Sequence, residues 1–330
     1  MSEFRTVIKL QESDIKISYD STLLFIGSCF SDNIGSKFKE RRFEAGINPF
    51  GVLYNPESVK RGLEILLEKS IFDEDLLFEY RGLWNSFYHH GRFSGVDKKT
   101  VLKNINRNII RGHELLKNAG FLFVTFGTSW VYRNVDDGMV VANCHKLPAS
   151  RFNRFRLGVD DIVDGYDELI ARMKEFNRDL KIIFTVSPVR HLKDGAHGNQ
   201  LSKATLLLAV DKLTEKHENV FYFPAYELVM DDLRDYRFYA DDMVHPSAQA
   251  VDYIWENISD VYFDKKAKVF VKEMDKIIKA REHRPFNEKS KEYQMFVSGL
   301  LRRLDEIKKQ FTLAGLEKDI EIFKRKLAEF

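Results

Sequence analysis

The stretch TLLFIGSCFSDNIG, residues 22–35, decides how the chain is read. Leu23–Ile26 is an unbroken apolar run of strand length, and Gly27-Ser28 behind it marks a tight turn. The residues after this stretch, through about Phe43, read as a helix. Strand, turn and helix in that order place Ser28 and Cys29 past a strand's carboxyl end, at a helix N-terminus. The N–H groups and partial positive charge there favour a thiolate or an oxyanion. The competing reading is that Cys29 is a small packed residue, because free cysteines are among the most buried side chains.

Working outward, Phe121–Phe126, Ile182–Val186 and Val220–Phe223 are further apolar runs, with a weaker one at Phe43–Ile47. Helical periodicity follows in Val59, Leu63, Leu66, Leu67, then in Tyr166, Leu169, Ile170, Met173, and then in Val251, Ile254, Trp255, Ile258. Strands alternating with helices predict a parallel sheet covered on both faces. Asn55-Pro56 supplies an N-cap and a first-turn proline for the first of these helices. Residues 76–97 and 131–158 break the alternation and read as insertions. In the second, Asp137-Gly138 joins Val131–Val135 to Met139–Ala142 as a hairpin. That insertion follows the strand ending at Phe126, so it should emerge at the carboxyl edge of the sheet, where such folds bind ligands. From about Asp264 the pattern becomes charged helix. Val297, Leu300, Leu304, Ile307, Phe311 and Leu316, Ile320, Phe323, Leu327, Phe330 form two narrow seams around Gly315. The expected division is residues 1–263 as the catalytic body and 264–330 as a helical hairpin extension. That hairpin would pack on the body or on a second copy, giving a homo-oligomer.

The chain has 330 residues, 44% hydrophobic and 31% charged with 7 Pro, which excludes disorder and collagen-like structure. Its 52 basic and 50 acidic residues leave a net +2, so nothing global calls for nucleic acid or an anionic membrane. Residues 264–330 carry 18 of the basic and 12 of the acidic groups, making the tail basic and the body mildly acidic. The first 22 residues contain acids and no apolar stretch of signal-peptide length, and no run approaches a membrane span. A cytoplasmic location, no membrane partner and no nucleic-acid partner are the expectations. Cys29 and Cys144 lie too far apart for zinc-ligand spacing and are expected as reduced thiols. No metal motif and no glycine-rich phosphate loop occurs, so neither a metal nor a cofactor is expected.

Near the other end of the body stands YADDMVHPS, residues 239–247, just before the Val251–Ile258 helix. A carboxylate three residues ahead of an imidazole, Asp242 before His245, can hold one ring nitrogen and free the other to take a nucleophile's proton. Alone, Asp-x-x-His is more often a capping aspartate beside an incidental histidine. Combined with the glycine turn after the first strand, it resembles the SGNH (GDSL-type) hydrolase superfamily. The string GSCFSDNIG is similar to that superfamily's GSCFA family, with FGTSW at 126–130 and TVSPVRH at 185–191 in support. The resemblance spans roughly Thr22 to Phe263. It implies a flavodoxin-like α/β three-layer sandwich and ester hydrolysis or acyl transfer on a small-molecule or carbohydrate acyl ester.

Laid on the superfamily's block, Gly27 takes the glycine, Ser28 the aspartate and Cys29 the nucleophilic serine, with Ser31 and Gly35 in register behind. Cys29 is then the nucleophile, Ser28 the fallback, His245 the base and Asp242 its orienter. Gly51, or else Gly46, takes the second glycine. Gly127-Thr128-Ser129 takes Gly-x-Asn with serine in place of asparagine, which weakens the oxyanion site or moves the donor to Asn48 or Asn143. His89, His90, His145 and His191 are candidate substrate contacts, with surface or packing roles as the alternative. Arg151, Arg154 and Arg156 read as a solvated or ion-paired loop. A different class of function is a binding or scaffolding protein that keeps the fold without efficient chemistry.

Overall fold

The alternating pattern folds into a five-stranded parallel sheet between helices. The structure is a computed structural model and describes residues 6–311 and 315–328. In chain order the elements are β1 (Thr22–Gly27), α1 (Cys29–Glu40), β2 (Glu44–Ile47), α2 (Pro56–Glu68), β3 (Phe78–Tyr80), β4 (Leu83–Asn85), α3 (Lys98–Asn118), β5 (Phe121–Phe126), β6 (Trp130–Asn134), β7 (Val140–Val141), β8 (Phe152–Arg156), α4 (Val159–Phe176), β9 (Lys181–Val186), α5 (Gly195–Lys216), β10 (Val220–Tyr222), α6 (Ala225–Glu227), α7 (Ala248–Tyr262), α8 (Lys265–Glu282), α9 (Lys291–Gln310) and α10 (Glu317–Ala328).

The sheet runs β10-β9-β5-β1-β2, with β1 parallel to β5 from Leu23 opposite Phe121 to Gly27 opposite Thr125. Taken in chain order, the five strands stand 2-1-3-4-5, the flavodoxin-like arrangement, and the order reverses between β1 and β5. In such sheets ligands bind outside the carboxyl ends at that reversal. Gly27–Cys29 and Gly127–Ser129 follow those two ends. One row of strand residues, Leu24, Ile26, Leu122, Val124, Ile182 and Phe184, shares a core with the apolar faces of α2 to α5. The opposite row, Phe25, Phe123 and Ile183, is equally buried, and Phe25 stacks on Phe123 at 4.7 Å. Both faces are covered, which is why the strands read as continuous apolar runs.

Local signals place the helices and turns. Asn55 Oδ1 accepts the Ser58 N–H at 2.8 Å, capping α2 with Pro56 in its first turn. Gly138, at φ 72°, turns the expected hairpin and donates its N–H to Asn134 O at 2.9 Å. β8 joins on the other side, giving an antiparallel β7-β6-β8 sheet. The earlier insertion contains a second hairpin, β3–β4, turned at Arg81-Gly82 with both residues at positive φ.

The chain forms two compact units. One contains residues 22–35 and 45–256, and the other gathers residues 10–21 and 36–44 with the chain from Asn257 onward. In the second unit the two seams form α9 and α10, with Val297, Leu304, Ile307, Leu316 and Phe323 buried; Phe330 lies outside the described residues. A third helix, α8, precedes them. Its buried Phe270, Met274 and Ile277 are interleaved with lysines that hide the period in the sequence. The buried Asp319 of α10 receives a bidentate pair from Arg42, with Nε at 2.7 Å and Nη2 at 2.6 Å. Among the described residues no helix is long and apolar enough to cross a membrane.

Candidate functional site

The turn after β1 needs glycine. Gly27 sits at φ 137° and donates its N–H to Asn48 Oδ1 at 2.8 Å. Ser28 is 1% exposed; its N–H donates to Thr125 O at 3.1 Å and its Oγ accepts the Phe30 N–H at 3.3 Å. The serine is thereby drawn inward as a brace for the turn. Cys29 is half-buried and opens α1, where its own N–H has no intrahelical acceptor. Burial pushes the thiol up and the Asp32 carboxylate adds to that; the Cys29 and Phe30 N–H groups and the Lys203 ammonium pull the other way without cancelling it. Asn48 ties the neighbourhood together, since its Nδ2 donates to Asp32 Oδ1 at 2.6 Å and its carbonyl accepts Arg92 Nη2 at 2.6 Å.

Asp242 and His245 meet, as their spacing permits. His245 Nδ1 lies 2.7 Å from Asp242 Oδ2, and Asp242 Oδ1 accepts the Val244 and His245 N–H groups, each at 2.9 Å. Those two N–H bonds and the imidazole hold the carboxyl at about 2, so it is an anion throughout the neutral range. The carboxylate favours Nδ1 as the protonated nitrogen and leaves Nε2 free to accept a proton. No hydrogen bond joins His245 to Cys29 among the described residues; such contacts often tighten only once substrate is bound.

His245 lines a cavity of about 480 Å³ together with Tyr54, Asn55, His90, Trp130 and His191. A side chain on Gly127 would lie 3.4 Å from Ser28 Cβ and 3.5 Å from His191 Nε2, so the turn after β1 and the His191 imidazole flank the same glycine. Burial, with Lys203 and His245 nearby, lowers His191 to about 4, making it a neutral imidazole at pH 7. Of the four histidines named from the sequence, His90 and His191 face this cavity and the other two do not. His89 is fully buried among Phe50, Phe72 and Phe93 with Nδ1 3.0 Å from Ser86 Oγ, and His145 Nε2 lies 2.8 Å from the Ser86 carbonyl. Arg154 lies 4.2 Å over the Trp130 ring and is paired bidentately with Asp194; Arg151 pairs with Asp136. Cys144 also lines the cavity, its thiol pushed to about 11 by burial.

The positions assigned to oxyanion donors are engaged elsewhere. Gly51 donates its N–H to the Asn48 carbonyl at 2.8 Å, and Ser129 is fully buried with its Oγ donating to Ser202 Oγ at 3.1 Å. The side chain of Asn48 is taken by Gly27 and Asp32. Asn55, read from the sequence only as a helix cap, uses Oδ1 for that cap, and its Nδ2 has no acceptor among the described residues while the residue lines the cavity. The Tyr54 carbonyl beside it accepts the Gly127 and Thr128 N–H groups at 2.8 and 2.9 Å, bringing Asn55 to the Gly-x-Ser segment.

The GSCFA family model matches residues 22–258, and a model described as GSCFA domain protein, C-terminal domain, matches residues 274–329. The chain belongs to the GSCFA family. No curated protein matches it. Among solved structures it is similar to an acetyl xylan esterase from the rumen bacterium Butyrivibrio proteoclasticus, at 14% identity and a TM-score of 0.36 over 73% of this chain. The alignment takes in 63% of that esterase's length.

One residue of this GSCFA protein gave no signal in the sequence. Lys203 of α5 is 1% exposed, and its Nζ donates to the Gly127 and Ser187 carbonyls, each at 2.6 Å, joining the carboxyl ends of β5 and β9. It has no carboxylate partner among the described residues, and burial lowers the ammonium to about 7 against the support of a Cys29 thiolate. An unfolded lysine titrates near 10.4, so from about pH 7 to 10 the unfolded chain binds more protons than the folded one at this site. Stability should therefore rise with pH across that window, by up to about 1.4 kcal/mol per pH unit from this group. Urea unfolding of wild type and Lys203→Met at several pH values checks this. The wild-type curve should climb relative to the variant, and parallel curves would refute the buried ammonium.

Proposed function

We propose that this protein is an acyl hydrolase or acyltransferase in which Cys29 is the nucleophile. The observation carrying this reading is the position of Cys29, opening α1 at the strand-order reversal, with a carboxylate-oriented His245 lining a cavity whose His191 flanks Gly127 together with Ser28. In the reaction Cys29 Sγ bonds to the acyl carbon of an ester and its proton passes to His245 Nε2. The tetrahedral oxyanion is held by the Cys29 N–H and Asn55 Nδ2. The intermediate collapses to a thioester as the alkoxide leaves with the proton from His245. Water, or the hydroxyl of a second carrier, then attacks the thioester, with His245 again taking the proton, and the C–S bond breaks to release the acyl product as Cys29 Sγ takes that proton back. Thioesters transfer acyl groups readily, so a second carrier is as good an acceptor as water. The cavity suits a small acyl ester such as an acylated sugar. A binding protein without efficient turnover is the second reading, favoured by the engagement of Gly51 and Ser129 in internal hydrogen bonds.

Turnover of p-nitrophenyl acetate separates the two. Because burial raises the Cys29 thiol, kcat/KM should increase with pH through neutrality. Asp242→Asn, which frees the imidazole to take the wrong tautomer, should lower kcat/KM by about 10²-fold or more. Turnover that is absent in the folded wild type would support the binding reading, and turnover untouched in Asp242→Asn would refute a base oriented by Asp242.

A further inference from the structure

A second cavity, of about 500 Å³, lies behind the wall of the first. The segment after β9, which runs into a short 3-10 turn at Leu192–Asp194, separates them: Val189, His191 and Lys193 line the candidate acyl site, while Arg190 and Leu192 line the second cavity. The loop carrying the histidine divides in the same way, with Val244 and His245 on one side and Met243 on the other.

The Arg190 guanidinium is the unusual group here. It pairs with no carboxylate among the described residues, its Nη1 donates to the thioether of Met230 at 3.5 Å, and its Nε is buried with no acceptor. Tyr239, whose phenol oxygen is within reach of Arg190, also points its hydroxyl at Met230 Sδ, at 3.7 Å. A thioether is a weak acceptor, and a partly buried guanidinium is strongly favoured by a bidentate oxygen anion. Arg234, on the same cavity, has no carboxylate partner among the described residues and holds a left-handed φ of 33°. It closes the π-helix Leu228–Leu233, and both features are locally costly ones that concentrate at binding sites. The acid on this wall, Asp235, already accepts the Arg237 N–H at 3.0 Å. A lone phosphate or carboxylate would leave most of the cavity unfilled, and Tyr236, Tyr239 and Met243 offer an aromatic and apolar remainder.

We infer that this second cavity binds a small organic anion, its phosphate or carboxylate head on Arg190 and Arg234 and its apolar body against Tyr236 and Met243. The inference stands on this cavity alone and does not require the acyl chemistry. Calorimetric titration of the full chain with phenyl phosphate, benzoate and inorganic phosphate tests it. Phenyl phosphate or benzoate should bind more tightly than inorganic phosphate, and the stronger of the two identifies the head group. Arg190→Gln should weaken binding at least tenfold, and the rim variant Arg234→Gln gives the same reading if Arg190→Gln does not fold. Absence of binding by all three probes at millimolar concentration, or affinities unchanged in both variants, would overturn the inference.

Discussion

Replacing Cys29 by alanine should abolish acyl transfer, with kcat/KM for an activated ester falling by about 10⁴-fold or more. Loss of a nucleophile removes the covalent route altogether, and what survives is the effect of binding and oxyanion contacts on direct attack by water. Fold and stability should change little, because Cys29 is only half-buried and its thiol makes no hydrogen bond to another side chain among the described residues. Ser28→Ala should behave in the opposite way. Its hydroxyl braces the turn through the Phe30 N–H, so the variant should lose about 1 kcal/mol of stability and retain most of its turnover. Ester-hydrolysis rates and urea midpoints on both variants check the pair. Inactivation by Ser28→Ala with survival of Cys29→Ala would move the nucleophile by one residue.

Gly27→Ala should be the most destabilising single-methyl substitution in the body, by about 3–5 kcal/mol. At φ 137° an L-residue is strained, and the added Cβ would stand 2.1 Å from Thr125 O. The carbonyl cannot yield easily, because Thr125 is in register with Gly27 in the β1–β5 ladder and its oxygen accepts the Ser28 N–H. Gly82→Ala is the matched comparison. It also has positive φ, at 75°, but no atom within 4 Å of the new carbon, so it should cost only about 1 kcal/mol. Equal urea midpoints for the two variants would show that close approach to β5 does not govern the turn.

What could be read in advance was whatever is encoded locally. The strand, glycine turn and helix around Gly27 are consecutive, and Asp242 and His245 are three residues apart on one loop, a spacing that permits their contact and that the glycine turn made informative. The alternation of apolar runs and helices implied a parallel sheet, and its flavodoxin-like strand order was implied by the family resemblance. What escaped depends on partners distant in the chain. Lys203 sits in KATLLLAVDKL, where it looks like a solvated lysine; its burial is set by carbonyls 76 and 16 residues away. Asn55 carries a cap signature that is correct and incomplete, since its approach to Gly127 runs through the Tyr54 carbonyl. Adjacent His89 and His90 were read alike, yet the local backbone, a turn closing at His89 and extended at His90, sends one side chain into an aromatic core and the other to the cavity. Arg190 and His191 likewise divide between two cavities.

The most direct test of the account is the covalent intermediate. The folded wild-type chain is mixed with p-nitrophenyl acetate at neutral pH, quenched in acid within the first turnovers, and its Gly27–Phe30 peptide is weighed by mass spectrometry. An acetyl group on Cys29, present in wild type and strongly diminished in His245→Ala, is the predicted result. Acetylation of Ser28, or a peptide unmodified while the ester is being turned over, would contradict a thiol-based acyl enzyme.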